Sequence, residues 1–140
     1  MILRCKVCDK EYYIPYSTGI HFLFPVCSEK CLIEFIKNYD STPLWSKEIR
    51  MKRMEDSAFR SFFEARIYKA LSKHFKVLFE PYLLIHEDKM YLPDFYLPEK
   101  GIFIEAKGGS MSRYMKMSYF SKFVPLFLIN KDFAEMMKWI

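Results

Sequence analysis

Two sets of residues in this chain have the types and spacing that chemistry needs. The first is four cysteines, Cys5-x2-Cys8 and Cys27-x3-Cys31, two close pairs a hairpin's length apart. A short pair curls the backbone so that two sulfurs reach one ion, and four thiolates fill the tetrahedral shell of a structural zinc with no position left open for reaction. The competing reading of the same residues is a disulfide pair or four unconnected thiols. His21 could replace one sulfur, but four cysteines already complete the site, so it reads as an exposed strand residue. The second set lies in Y-L-P-D-F-Y-L-P-E-K-G-I-F-I-E-A-K-G-G, residues 91–109. Asp94 stands a short turn away from an alternating strand that carries Glu105 and Lys107, and positions i and i+2 of a strand share a face. The apolar run Ile102-Phe103-Ile104 marks that strand as buried, where ionisable groups require a partner or a metal. On the residues alone, two readings stand. Asp94, Glu105 and Lys107 form a site, or Asp94 makes an Asx-type turn after Pro93 while Glu105 and Lys107 form a same-face ion pair worth under about 1 kcal/mol.

The elements that must position these groups follow from punctuation and periodicity. Glu11 to Pro15 and Ile20 to Phe24 read as two short strands around Ser17-Thr18-Gly19, and Leu32, Phe35 and Ile36 recur at helical spacing after Ser28-Glu29, a helix start. Residues 1–40 thus form a small four-cysteine module whose folding energy comes mostly from the metal, on the order of 10 kcal/mol. Residues 41–57 form a basic linker helix, with Lys47, Arg50, Lys52 and Arg53 interleaved with Trp45, Ile49, Met51 and Met54. Its cations either follow a phosphate backbone or make an ordinary solvated face. Residues 58–140 form the larger domain. Phe59, Phe62, Phe63, Ile67, Ala70, Leu71 and Phe75 predict a helix from Ser57, as N-cap, to about His74, with Glu64 at the border of its apolar stripe. Short strands follow over 76–80 and 81–86, with turns at Glu87-Asp88-Lys89 and at Pro98-Glu99-Lys100-Gly101 before the Glu105 strand. Ser110 to about Phe123 reads as a helix, Val124 to Ile129 as a buried strand and Lys131 to Ile140 as a closing helix. Runs of antiparallel strands with helices on their faces make an α/β or α+β sandwich.

Composition bounds the rest. The chain has 140 residues, 51% of them apolar, with a formal charge of +5. That suffices for one core and a small appendage, and the mild basic excess suits a polyanionic partner. The N-terminus has no signal-peptide pattern and no run approaches the ~20 apolar residues that span a bilayer, so a cytoplasmic protein is expected, with thiols serving as metal ligands.

F-P-V-C-S-E-K-C-L-I-E-F resembles the second half of treble-clef zinc fingers of the TRASH and MYM type. Glu64, Glu80-Pro81, Pro93-Asp94-Phe95, Leu97-Pro98 and Ile104-Glu105-Ala106-Lys107-Gly108 together resemble the PD-(D/E)xK nuclease superfamily, and most of all its phage endonuclease I type Holliday-junction resolvases, over residues 58–130. The resemblance implies a restriction-endonuclease-like core and a metal-dependent endonuclease acting on DNA. Asp94 and Glu105 would bind magnesium or manganese, Glu64 would complete the metal site, and Lys107 would lie beside the attacking water and the scissile phosphate. It also implies a homodimer, since paired cuts on two strands need two active sites. Other nucleases of the superfamily, in restriction, repair or transposition, are the neighbouring alternative, and a catalytically inactive zinc-finger adaptor for DNA or protein is the alternative from another class. Magnesium suits such a site because it takes oxygen ligands, keeps several waters and offsets the repulsion between crowded carboxylates.

Overall fold

A computed structural model describes residues 1–106 and 111–140; Lys107, Gly108, Gly109 and Ser110 lie outside the described residues. The fold is mixed α+β. Two short strands open it, β1 (Ile2–Arg4) and β2 (Glu11–Tyr13), paired antiparallel with Leu3 opposite Tyr12. Helix α1 (Glu29–Lys37) starts where Ser28 accepts a hydrogen bond from the Cys31 N–H at 3.3 Å, the expected N-cap. The strand expected over Ile20 to Phe24 is instead a 3-10 turn at Ile20–Phe22. Gly19 opens it at φ 80°, and any side chain there would collide with the Tyr114 ring, so the chain turns rather than extends.

The linker helix expected over residues 41–57 does not form. A 3-10 turn at Thr42–Leu44 is followed by a strand, β3 (Arg50–Arg53). The Trp45 indole N–H donates to the Gly101 carbonyl at 2.9 Å and the Ser46 N–H to the Phe123 carbonyl at 2.8 Å, which lays this segment across the larger sheet. β3 then pairs antiparallel with β5 (Tyr82–His86), which pairs with β6 (Lys89–Tyr91). Edge pairing outweighs the helical preference of Lys, Arg and Met. The next helix, α2 (Phe62–Ser72), begins a turn later than expected: Ser61, not Ser57, is its N-cap and accepts from the Glu64 N–H at 3.2 Å.

The central sheet runs β4 (Leu78–Phe79), β7 (Phe95–Leu97), β8 (Ile102–Ala106) and β9 (Leu126–Ile129) in spatial order. β7 and β8 form the hairpin whose turn the sequence places at residues 98–101, with Gly101 at φ 64°. The expected antiparallel run holds for β4, β7 and β8, but β8 and β9 are parallel: α3 (Met111–Phe120) lies between them in the chain and supplies the crossover that a parallel pair needs. Helix α4 (Lys131–Met136) follows, capped by Asn130. All five residues of β8 are buried, as in a strand covered on both faces. Its neighbours in the core include Ile67 and Leu71 of α2, Met117 and Phe120 of α3 and Phe133 of α4.

This core continues into the cysteine-bearing segment. Phe24 stacks on Phe127 of β9 with centroids 4.2 Å apart, and Leu23 makes a parallel bridge to Leu128. No helix among the described residues is long and apolar enough to cross a membrane.

Candidate functional site

The tight loop between β1 and β2 presents Cys5 and Cys8. Its Asp9 N–H donates to the Cys5 carbonyl at 3.0 Å and the Cys5 N–H to the Lys10 carbonyl at 2.9 Å, with Asp9 at φ 64°. Cys27 precedes the N-cap of α1 and Cys31 lies in its first turn. The four sulfurs all fall within 4.8 Å of one another, with Cys8 to Cys27 at 3.5 Å and Cys27 to Cys31 at 4.0 Å. Four thiolates about 2.3 Å from one ion would stand roughly 3.8 Å apart, so the cluster fits a structural metal such as zinc. Its thiols already compete for protons. Burial works to raise Cys5, but donation from the Cys8 and Val7 backbone outweighs it and brings the thiol down to about 6. Burial and the Cys8 and Cys5 sulfurs push Cys27 up to about 12. A dication removes that conflict by favouring all four thiolates. His21 is not part of the group.

The second centre forms where β7 and β8 run side by side. Phe95 lies opposite Ile104, which brings the preceding Asp94 beside Glu105, and both side chains are almost wholly buried, 3% and 2% exposed. Asp94 Oδ2 accepts from the Ala106 N–H at 2.8 Å. Glu105 Oε1 accepts from the Tyr91 hydroxyl at 2.5 Å. Arg113 of α3 reaches both acids: its Nε and Nη2 lie 2.9 Å from Glu105 Oε2, and Nη2 lies 3.4 Å from Asp94 Oδ1. Burial, reinforced by the Glu105 charge, raises Asp94 to about 8, and burial raises Glu105 as well. A cation between two such carboxylates relieves the penalty, and in this arrangement Arg113 supplies it.

Glu64 and Glu80 lie in an adjoining cluster. Glu64 Oε1 accepts from the Arg60 N–H at 2.8 Å, so with Ser61 it closes a variant of the capping box at the start of α2. Among the described residues only the cysteines bring three or more ligand atoms within 4.8 Å, so Glu64 does not join Asp94 and Glu105 at that distance. Buried Glu80, at φ 45°, accepts from both ends of the Arg60 guanidinium and from the Ser57 hydroxyl at 2.7 Å. Burial works to raise its carboxyl, and these bonds outweigh it and hold the group below the ordinary value. The Glu80 N–H donates to the Asp94 carbonyl at 2.7 Å, which ties the two clusters together, and the Arg60 guanidinium feels the charges of Glu80, Glu64 and Asp94. Lys107, expected beside Glu105, lies outside the described residues.

Sequence reading missed Tyr91, Arg60 and Arg113 as members of the site. The signal for Arg113 is its place in the first turn of α3, eight residues after Glu105. Of the basic run, Arg50 and Lys52 share a face opposite to Leu84 and Tyr91, which are buried, so these two cations point to solvent. Arg53 instead lies over the Tyr82 ring at 5.6 Å. An apolar groove of about 460 Å³ lies on the cysteine-bearing module, against Leu3, Tyr12, Ile14, Leu23 and Phe24; none of the acids lines it.

Comparison of the chain with family models, with curated proteins and with solved structures finds no match.

Proposed function

We propose that the chain is a metal-dependent endonuclease that hydrolyses phosphodiester bonds in DNA, and that its substrates are branched, as for a Holliday-junction resolvase. The observation that carries this reading is the pair Asp94 and Glu105, two buried carboxylates held together at the adjoining ends of neighbouring strands, with the first raised to about 8. Structural acids in that position would not ordinarily be crowded at such a cost. The mixed sheet of β4, β7, β8 and β9 between helices supports a PD-(D/E)xK core, and Lys107 follows Glu105 by two residues as in that motif.

Magnesium or manganese bound there would polarise the phosphate and lower the pKa of a water for in-line attack. Asp94 and Glu105 would hold it. The Ala106 N–H and the Tyr91 hydroxyl fix the orientation of those carboxylates. Lys107 would stabilise charge on the phosphate. Glu64 would contribute only by releasing the Arg60 N–H and turning toward Asp94. A homodimer would place two such sites on the two strands of a junction, and the cysteine module, holding zinc, would read DNA or dock a partner.

A second reading is favoured by one observation: Arg113 neutralises both carboxylates and Glu64 caps a helix, so each acid already has a structural role. On that reading the protein is an adaptor that binds without cutting. The deciding experiment is cleavage of matched four-way junction, flap, duplex and single-stranded DNA with magnesium, manganese or chelator. Metal-dependent paired nicks confined to the junction, lost in Asp94→Ala and Lys107→Ala, are expected. Cutting of duplex or flap would move the enzyme to a repair or restriction role, and tight binding with no cutting of any substrate would establish the adaptor.

A further inference from the structure

We infer that a cleft lined by none of Glu64, Asp94 and Glu105 is a second nucleic-acid contact, one that grips the phosphate backbone of duplex DNA. The inference rests on the DNA part of the proposed function but not on catalysis. The cleft, about 460 Å³, is lined by Arg66, Lys69 and Ala70 of α2 and by Lys73, its C-cap, by Lys138 and Trp139 after α4, and by Glu29 of α1. Four cations thus face one carboxylate. That carboxylate is itself engaged, since the Trp139 indole N–H donates to Glu29 and His74 lies 3.6 Å from it. Among the described residues, none of the four cations has an acidic partner within ion-pair distance, whereas Arg4, Arg60 and Arg113 all do.

Like charges gathered without acids repel one another, and a polyanion relieves that repulsion. The spacing favours a regular polyanion. Arg66, Lys69 and Lys73 recur at i, i+3 and i+7, so they lie on one face of α2 and span roughly 10 Å along its axis. One DNA strand presents a phosphate about every 3.4 Å of helix axis, so three cations over that length match about three phosphates. The opposite face of α2 carries Glu64, Ile67 and Leu71, all buried, so the same helix orients the cations outward while its first turn stands beside the acid clusters. The cleft is also where α1, α2 and the C-terminal segment meet, so an occupant would touch the cysteine module and the sheet domain at once.

The test uses the full zinc-loaded chain carrying Asp94→Asn, without magnesium, so that bound DNA stays intact. Anisotropy of a labelled duplex and a labelled four-way junction is measured across a salt series. The variant R66Q/K69Q/K73Q is compared with K10Q/K76Q/K131Q, which removes the same charge from exposed lysines that do not line the cleft. The cleft variant is expected to bind at least tenfold more weakly at about 0.1 M salt, with the slope of log affinity against log salt reduced by about 2.7, roughly 0.9 for each of three contacts, while the control changes it by less than about one. Equal losses in the two variants, or no loss in the cleft variant, overturn the inference. Gln is a good helix former, and equal melting temperature and zinc content verify folding; a single Lys73→Glu set against Lys76→Glu gives the same comparison with less perturbation. If wild-type protein never cuts DNA but the cleft variant loses binding, the nuclease reading fails and this inference stands. If wild-type cuts and the cleft variant binds normally, this inference alone fails.

Discussion

Replacing Asp94 by Asn is expected to stabilise the protein in mildly alkaline solution while removing a carboxylate on which the proposed chemistry depends. The folded protein holds the Asp94 proton up to about 8, against an ordinary value of 3.8. The folded state therefore keeps a proton that the unfolded chain has released, so stability falls as pH rises from about 4 to about 8 and the full penalty applies above that. Between about pH 5 and 8.5 the difference is roughly three pH units of linkage, or about 4 kcal/mol as an upper bound. For a chain of this length that corresponds to roughly 12 °C in melting temperature. Asn keeps an oxygen that can accept the Ala106 N–H, and Arg113 keeps Glu105. The assay is thermal melting of zinc-loaded wild-type and Asp94→Asn protein across that pH range, without magnesium, so that the cysteines remain metal-bound and only the difference between the two proteins is read. The variant should show the smaller fall and the higher melting temperature at the alkaline end. Parallel pH profiles, or a variant less stable than wild type at about pH 8.5, would refute the reasoning that burial and Glu105 crowd this carboxylate.

Three further outcomes are expected. Cys27→Ser should lose zinc by elemental analysis and, because metal binding supplies on the order of 10 kcal/mol in such modules, should melt the whole chain well below wild type; unchanged zinc content would rule out the four-sulfur site. Lys107→Ala should slow DNA cleavage by about 10² or more without moving the melting temperature, whereas unchanged rates would remove it from the site. Phe24→Ala should cost about 3 to 5 kcal/mol in a urea titration because its ring stacks on Phe127 of β9; the wild-type chain should unfold in a single transition, and two separated transitions in wild type would show that the cysteine module melts alone.

The central sheet, the hairpin turn at Gly101 and the two cysteine pairs were legible because each is announced locally, by an apolar run, by turn residues or by spacing. What escaped was set by partners distant in sequence. Arg50 to Arg53 reads as helix because its residue types favour helix, yet β5, some thirty residues on in the chain, supplies the hydrogen bonds that make it a strand. Ser57 and Ser61 are equally good caps by type; the S-x-x-E pattern of Ser61 and Glu64 decides between them, and Ser57 is drawn off to Glu80. At the site, Asp94 and Glu105 were found through the strand pattern that carries them. Tyr91 and Arg113 were not, since neither strand alternation nor helix periodicity says that a hydroxyl and a guanidinium from two other elements will turn onto the same carboxylate.

The bridge between Leu23 and Leu128 has a consequence for solubility. β9 is the last strand of the central sheet, and the segment leading to the second cysteine pair lies along its outer side with Phe24 seated on Phe127. An open parallel edge of Leu126, Phe127, Leu128 and Ile129 is the kind of surface on which chains add to one another. The cysteine-bearing segment acts as a guard rail over that edge. Chelation or oxidation of its thiols would then free that edge, so that loss of the metal shows as self-association of the chains as well as loss of stability.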